Sequence, residues 1–313
     1  MRRAPLLSRH LAEPVPASPR RRPLFHPERG WFRRLERAAS LWLARHVFPW
    51  LPGLASIYSA QVRRSLVLSD ATVQLPGLRP GLAGIKVLLL TDVHAGPFLR
   101  PPALAEAVEK LAALTPDLVL HGGDLATSRL DEIDPVLQAL APLRGSLGTY
   151  AVLGNHDHYV EDAAALRRKI EAAGIEVLHN QAVVLERAGA RLVLAGVDDL
   201  IMGTPDLDAA LASAGPRASD TPVVLLSHNP DVFFDAAARG IPLVLSGHTH
   251  GGQVRLPGLP VLVRQSRYRL DEGRYVSSSR RAEIVVSRGF GTTGVPLRLC
   301  CPPEAVLLQL VAG

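Results

Sequence analysis

Short apolar runs alternate with helix-like stretches from about residue 85 to the end of the chain, and this alternation limits the possible folds more than any other feature. The runs IKVLLLT (85–91), TYAVLG (149–154) and PLVLSG (242–247) have the length and composition of buried strands. The stretch 101–114 carries apolar residues at helical spacing and begins with proline, which suits the first turn of a helix. The alternation predicts an α/β domain, and 313 residues with 47% hydrophobic content are enough for a sizeable core.

Five of the apolar runs end in Asp, Asn or His. In open α/β sheets, ligands bind at the carboxyl ends of the strands, so we expect these side chains to converge. A single histidine is usually an ordinary core or surface residue, but five such strand ends are hard to explain in that way. The strand ends are TDVH with Asp92 and His94, GGD with Asp124, GNHD with Asn155, His156 and Asp157, SHNP with His228, and GHTH with His248 and His250.

The last of these strand ends continues into two glycines, as GHTHGG (247–252). In an extended segment His248 and His250 point to the same face, because side chains alternate along a strand. Gly251 and Gly252 then let the backbone turn sharply or approach another group closely. By itself this stretch could be a histidine-containing turn, and the four other strand ends favour a metal site.

The residue types suit metal ions better than a nucleophilic side chain. The sequence contains neither a G-x-S-x-G nucleophile elbow nor a G-x-x-x-x-G-K-[ST] phosphate loop. Imidazole, carboxylate and amide oxygen ligands suit Mn²⁺, Fe or Zn²⁺. Seven ligand-type residues are too many for one tetrahedral ion, and they suit two ions that share a carboxylate, about 3.5–4 Å apart.

The ordered set of motifs resembles the calcineurin-like metallophosphoesterases. DVH (92–94), GGD (122–124), GNHD (154–157), SHN (227–229) and GHTH (247–250) carry the resemblance, which extends over about residues 85–311. GHTHGGQ and RGFGTTGVPLRLCCPPE (288–304) are similar to a bacterial branch of membrane-associated phosphohydrolases, which includes phosphodiesterases and a lipid A pathway pyrophosphatase. The resemblance implies a four-layer α/β/β/α sandwich of two mixed sheets.

The resemblance also implies a role for each motif residue. Asp124 would bridge two divalent ions, with Mn²⁺ expected first and Fe or Zn²⁺ as alternatives, and a hydroxide between the ions would be the nucleophile. His156 would stabilise the developing charge or protonate the leaving oxygen, and Asp157 would either orient His156 or act as a structural cap. The first ion would take Asp92, His94 and His250, and the second would take Asn155, His228 and His248.

Three classes of function remain open from the sequence. The first, which we favour, is a two-metal hydrolase of a phosphodiester or pyrophosphate whose substrate is lipid- or nucleotide-linked. The second is a phosphomonoesterase that uses the same site. The third is a non-catalytic protein. It could be a binding scaffold on the same fold, which would be expected to have lost metal ligands, or a membrane or nucleic-acid adaptor that acts through its basic N-terminal region.

The basic charge of the chain lies in its N-terminal region. Residues 1–80 hold 14 Arg and no Lys against four acids, and residues 81–313 hold 21 bases against 25 acids. A nucleic-acid partner for the main domain is therefore not expected. These differences predict a disordered Arg/Pro-rich segment (1–27), a basic helical appendage (28–60) and a metallophosphoesterase domain (61–313). The oligomeric state is left open.

Within the appendage, residues 28–51 have the pattern of a basic amphipathic helix. Trp31 and Trp42 lie on its apolar side, and Trp50, the remaining tryptophan of the chain, follows at its end. Tryptophan favours the membrane interface, so the pattern predicts attachment to an anionic membrane surface, with simple packing on the main domain as the alternative. No apolar stretch is long enough to span a membrane. We therefore expect a peripheral protein of the bacterial cytoplasmic membrane, with the cytoplasmic face favoured.

Overall fold

The computed structural model describes residues 1–11, 38–39, 42–43, 46–47, 50–94, 96, 98–215, 220–257, 261, 263–278 and 281–313. Its strands are β1 Arg2–Pro5, β2 Ser8–Leu11, β3 Val67–Leu75, β4 Ile85–Leu90, β5 Leu118–His121, β6 Thr149–Ala151, β7 Glu176–Val177, β8 Gln181–Arg187, β9 Ala190–Gly196, β10 Val223–Leu226, β11 Leu243–Ser246, β12 Gly273–Ser277, β13 Glu283–Val286 and β14 Glu304–Ala312. The described strands form two seven-stranded mixed sheets, in the orders β1-β3-β14-β4-β5-β6-β7 and β2-β12-β13-β11-β10-β9-β8. Helices are α1 Pro52–Ser65, α2 Pro101–Ala112, α3 Ile133–Leu140, α4 Ala163–Ala172, α5 Leu207–Ser213 and α6 Phe233–Ala238.

The two sheets pack against each other through alternate residues of their strands. In β4, Val87 and Leu89 join the apolar cluster shared by both sheets, whereas Leu88 and Leu90 join the cluster that includes α1 to α4. Such alternation follows from the two-residue period of a strand. Both faces of β4 are therefore buried, which explains why its sequence is almost continuously apolar.

The second sheet is covered on its other face by α5 and α6. Leu243 and Leu245 of β11 face the first sheet, and Val244 between them packs in the cluster that includes Phe233 and Ala210. The layers are thus helices, sheet, sheet and helices. This arrangement confirms the α/β/β/α sandwich that the motifs implied.

The N-terminal residues differ from the predicted disordered segment 1–27. Strand β1 pairs in parallel with β3, and β2 pairs in parallel with β12, so residues 2–5 and 8–11 each add an edge strand to a different sheet. Edge strands are held by backbone hydrogen bonds, such as Leu6 N–H to Asp70 O at 2.9 Å, and need no apolar periodicity. The prediction of disorder is therefore wrong for these residues, and 12–27 lie outside the described part of the chain.

The predicted boundary between residues 60 and 61 is wrong as well, because it falls inside α1. Tyr58 and Val62 of this helix are buried in the same cluster as α2. Most of the predicted helix 28–51 lies outside the described residues; of those described there, Val47 N–H donates to Leu43 O at 3.0 Å. Among the described residues, no helix has the length and apolarity required to cross a membrane.

Candidate metal centre

The predicted site residues meet where the carboxyl ends of five strands come together. Strands β4, β5 and β6 are parallel neighbours in one sheet, and β10 and β11 are parallel neighbours in the other. Each ends just before one of the five motifs, and the motif side chains lie within reach of one another. The structure thus brings together the residues that the strand ends singled out.

The backbone at these strand ends is unusual. Five of the seven predicted ligands have a positive φ. Left-handed backbone is uncommon for residues other than glycine, and a non-glycine residue held there costs about 1–3 kcal/mol. Backbone strain of this kind is common at functional sites, so it supports a functional role for the cluster. The five residues and their φ angles are Asp92 (52°), His94 (49°), Asp124 (54°), His248 (70°) and His250 (52°).

The first ligand group consists of Asp92, His94 and His250. All three side chains are buried, and their candidate ligand atoms lie within 4.8 Å of one another. The Nε2 atoms of His94 and His250 are 3.0 Å apart, and His250 Nε2 is 3.5 Å from Asp92 Oδ1. Both Asp92 oxygens also accept from the backbone N–H of His248 at 3.1 Å. This contact ties the TDVH strand end to the GHTH strand end.

The second ligand group consists of Asn155, His228 and His248, and it converges on one atom. His228 Nε2 lies 3.2 Å from Asn155 Oδ1 and 3.2 Å from His248 Nδ1. The other ring nitrogen of His228 donates to Gly122 O at 2.8 Å, which directs Nε2 into the cluster. Metal-binding histidines are commonly oriented by such a hydrogen bond to a carbonyl.

Asp124 lies between the two groups. Its Oδ2 atom is 3.6 Å from His94 Nε2 and 3.2 Å from His228 Nε2, and its Oδ1 accepts from the backbone N–H of His156 at 2.8 Å. The close approach of Gly154 is necessary here, because a Cβ at that position would lie 2.2 Å from Asp124 Oδ1. Asp124 is therefore placed where a bridging carboxylate would lie.

The donor set fits two divalent cations. Ring nitrogens of His94 and His250 face each other in a buried site, and only one hydrogen can lie between them. The second ring nitrogen of His94, Nδ1, is buried and has no hydrogen-bond partner among the residues that the structure describes. Converging lone pairs and two carboxylates in a buried cluster are costly unless positive charge is present. Imidazole, carboxylate and amide oxygens supply the ligand types that Mn²⁺, Fe or Zn²⁺ accept.

The protonation states agree with this interpretation. Burial lowers the pKa of His94 and that of His250 well below the usual value, so both rings are neutral and keep a lone pair. Burial alone would raise the pKa of Asp124, but His228 and His156 hold it well below its ordinary range. His228 shows the reverse, because Asp124 raises its pKa well above the usual value despite burial. A proton on His228 thus balances part of the negative charge of Asp124, which a bound cation would otherwise balance.

His156 is held beside the cluster by its other ring nitrogen. Its Nδ1 donates to Thr127 O at 2.8 Å, and its Nε2 lies 3.5 Å from Thr293 Oγ1. The ring packs edge-on against His94, with centroids 4.7 Å apart. His156 also lies within ligand distance of His94 and Asp124, so geometry by itself allows either coordination or proton transfer.

Asp157 does not orient His156, and that part of the prediction is wrong. Its buried carboxylate accepts from the backbone N–H groups of Asp124 at 2.8 Å, Ala126 at 3.0 Å and Gly154 at 2.9 Å. Burial, together with the nearby Asp124, raises the pKa of Asp157 to about 7, against the effect of these donors. The geometry supports the alternative role of a structural cap, which ties the second strand end to the third.

Several residues that support the site were not predicted. Thr127 and Thr293 flank His156, and Arg298 donates to the backbone carbonyl of His250 and lies against its ring. Arg298 belongs to the stretch 288–304, which we noted only as a mark of family resemblance. His158 Nε2 contacts Asp198 Oδ1 at 2.8 Å. These contacts join segments far apart in the sequence, so no local pattern indicates them.

Comparison with known proteins identifies the family. The family model described as calcineurin-like phosphoesterase matches residues 85–252. The chain is 29% identical over 246 residues to the uncharacterised metallophosphoesterase YkuE of Bacillus subtilis, covering 77% of this chain and 84% of that protein. It is 32% identical over 244 residues to the phosphodiesterase YaeI of Escherichia coli, covering 76% of this chain and 86% of that protein.

A vertebrate relative is longer than this chain. The transmembrane protein with metallophosphoesterase domain of Danio rerio is 31% identical over 257 residues, covering 77% of this chain but 56% of that protein. The match to the family model, over residues 85–252, includes all five motifs and four strands of each sheet. The chain therefore belongs to the calcineurin-like phosphoesterase family and is a metal-dependent hydrolase of phosphoesters.

Proposed function

We propose that this chain hydrolyses phosphodiester or pyrophosphate bonds with two divalent cations, one held by each ligand group and both by Asp124. The observation that carries the proposal is the position of Asp124 Oδ2, which lies 3.6 Å from His94 Nε2 and 3.2 Å from His228 Nε2. The name of the Escherichia coli relative, a phosphodiesterase, supports a diester rather than a monoester. Two cations at this site would activate water and neutralise phosphoryl charge. We expect Mn²⁺ first, with Fe or Zn²⁺ as alternatives.

His156 supplies the proton in this proposal. With Nδ1–H bonded to Thr127 O, the free position of the ring is Nε2, beside Thr293 at the edge of the cluster. A proton on Nε2 could pass to the leaving oxygen as the phosphoester bond breaks. Thr293 Oγ1 would steady the ring in this orientation.

A panel of small substrates tests the reaction class. Bis(p-nitrophenyl) phosphate, p-nitrophenyl phosphate and a nucleoside diphosphate ester represent the diester, monoester and pyrophosphate classes. We expect kcat/KM for the diester or pyrophosphate to exceed that for the monoester at least about tenfold, a difference of about 1.4 kcal/mol in transition-state binding. A preference for the monoester would contradict the proposed reaction class and leave the metal site unaffected.

The surface beside the site favours a lipid-linked substrate. Val295, Leu297 and Leu299 alternate along the loop that carries Thr293, and they are 48%, 44% and 40% exposed. Gln61 of α1 bonds to both backbone groups of Arg298 in this loop, and Ile57, one turn earlier on the same helix, is 58% exposed. We call Ile57, Val295, Leu297 and Leu299 the apolar rim. An acyl or similar chain on the rim would hold its phosphoester near His156.

We also propose that the chain attaches to an anionic membrane surface. Trp42 and Trp50 are 57% and 82% exposed, and Leu51 next to Trp50 is 47% exposed. The 14 arginines of residues 1–80 would attract anionic headgroups, and tryptophan favours the interface. The relative from Danio rerio is named a transmembrane protein, which also supports a membrane location. We propose the cytoplasmic face of the membrane, where anionic headgroups are available to a basic segment.

A substitution on the rim tests the lipid-linked substrate. Leu297→Ser should lower the ratio of kcat/KM for a long-chain phosphodiester to that for its short-chain analogue. Val184→Ser on β8, which is 39% exposed on another part of the surface, is the matched control and should leave this ratio unchanged. An unchanged ratio in Leu297→Ser would mean that the rim does not bind the substrate chain.

A further inference from the structure

Arg298 is the bulkiest fully buried side chain among the described residues, at 2% exposure. Within that part of the chain, no carboxylate lies within ion-pair distance of its guanidinium. A buried charge without an ion-pair partner is costly, so its contacts indicate what it stabilises. Those contacts include three carbonyl oxygens, one ring nitrogen and the sulfur of Cys301.

Two of these contacts fix His250. One terminal nitrogen of Arg298, NH1, donates to His250 O at 3.2 Å, and the other, NH2, lies 3.2 Å from His250 Nδ1. One rigid planar group therefore holds both the main chain and the ring of this residue. Nε2 is the ring nitrogen that faces Asp92 and His94, and it has a lone pair for a cation when Nδ1 carries the ring hydrogen.

The remaining carbonyl contacts fix Asp92 indirectly. Arg298 Nε donates to Gly291 O at 2.8 Å, and NH2 donates to Arg288 O at 2.7 Å. The segment between these two carbonyls packs on Asp92: Gly291 N–H donates to Asp92 O at 2.5 Å, and a Cβ at Gly289 would lie 2.7 Å from Asp92 Cβ. Arg298 thus links Asp92 and His250, which lie 158 positions apart and belong to the same ligand group.

The second ligand group is supported by other residues. His228 Nδ1 donates to Gly122 O, and the side-chain nitrogen of Asn155 donates to Tyr159 Oη at 3.3 Å. A loss of Arg298 should therefore affect the two groups unequally. Its positive charge would by itself oppose a nearby cation, so charge and geometry predict effects of opposite sign.

We propose that Arg298 is a positioning residue that orients His250 and Asp92 and thereby determines the affinity of the first ligand group for its cation. The inference rests on the proposed two-cation function. Groups that orient metal ligands typically change metal affinity by about 10–100-fold when they are removed. Arg298 is well suited to this task, because a guanidinium offers five donors in a fixed plane whereas a lysine ammonium is a single point of charge.

The test is equilibrium dialysis of the full chain against Mn²⁺, with Arg298→Met, Arg298→Lys and Gln61→Met as variants. Wild-type protein should bind two Mn²⁺ per chain. Arg298→Met should bind one with wild-type affinity and the other at least about tenfold more weakly. Arg298→Lys keeps a buried charge and some donors, so it should fall between the two and remain informative if Arg298→Met folds poorly.

Gln61→Met is the matched control, because Gln61 holds the backbone of Arg298 without touching its guanidinium. This variant should keep both Mn²⁺ affinities. Two unchanged or tighter sites in Arg298→Met would overturn the inference, and so would an equal loss of both sites. Failure of the wild-type protein to bind two Mn²⁺ would instead contradict the proposed function on which the inference rests.

Discussion

His94 and His250 approach each other with their Nε2 atoms 3.0 Å apart, at the ends of strands that belong to different sheets. Both rings are buried and neutral, because burial lowers the pKa of each well below the usual value. Two lone-pair atoms at this distance are stable only if a hydrogen or a cation lies between them. The contact therefore joins the two sheets through polar side chains of the candidate metal centre, in addition to the apolar cluster between the sheets.

His156→Ala separates proton transfer from metal binding. Because His156 Nδ1 is anchored to Thr127 O and its Nε2 faces the edge of the cluster, we expect near-normal metal content. The turnover of an activated diester should fall by roughly 10²–10⁴, the usual effect of losing an acid or base group. Metal content and kcat are measured on the same sample. A parallel loss of metal and activity would mean that His156 is a ligand.

His94→Ala and His228→Ala should each impair one ligand group more than the other. His94 contacts His250 and Asp124, whereas His228 contacts Asn155, His248 and Asp124. Each variant should bind about one Mn²⁺ per chain under conditions in which wild-type protein binds two. Metal analysis after dialysis measures this number. Complete loss of both ions from either variant would contradict the division into two groups.

The contact between His158 and Asp198 should make stability depend on pH. Burial raises the pKa of Asp198, but hydrogen bonds from His158 and from the backbone N–H groups of Thr204 and Asp199 together lower it to about 2. The bond to Asp198 raises the pKa of His158. The contribution of Asp198 to the free energy of unfolding is present above about pH 3.9 and is lost as the pH falls toward 2. The contribution of His158 to the same free energy is present below about pH 6.5 and is lost as the pH rises through the raised pKa of His158.

A double-mutant cycle with His158→Gln and Asp198→Asn measures this contribution. The coupling between the two residues in the free energy of unfolding should be largest between about pH 4 and pH 6.5. It should decrease on either side of that range. A coupling that does not change with pH would show that the contact does not depend on ionisation.

Trp50→Ser tests the membrane proposal without disturbing the fold, because the side chain is 82% exposed. Full-length protein should co-sediment with phosphatidylglycerol vesicles at low salt, and Trp50→Ser should bind them more weakly. Added salt should reduce binding, since part of the attraction is electrostatic. Truncation at Gly81 is unsuitable here, because it removes β1, β2, α1 and β3. If full-length protein does not bind such vesicles at low salt, membrane attachment is contradicted.

The site could be predicted far better than the segments around it. Asp92, Asp124 and His228 each follow a buried strand directly, so the apolar pattern and the fold class together determine where their side chains meet. Arg298 could not be found in this way, because its contacts with His250, Gly291 and Arg288 depend on a loop without periodicity. Strand β1 was missed for a related reason, since its pairing with β3 uses backbone groups that every sequence has.

The role of Asp157 shows a second limit. Its position directly after His156 suggested that it orients the histidine, but adjacent residues in a turn point in different directions. Its carboxylate instead accepts from the backbone N–H groups of Asp124 and Ala126 at the second strand end and of Gly154 at its own. The sequence places an acidic residue here, but only the backbone geometry identifies its hydrogen-bond partners.

The most direct test of the account is the metal content and activity of Asp124→Asn beside wild-type protein, before and after chelation. Both ligand groups depend on the carboxylate of Asp124, so the variant should lose affinity for both Mn²⁺ ions, and its hydrolysis of bis(p-nitrophenyl) phosphate should fall by at least about 10². Chelated wild-type protein should be inactive and should recover when Mn²⁺ is returned. Full activity after exhaustive chelation, or an Asp124→Asn variant that keeps two ions and its rate, would contradict the two-cation site.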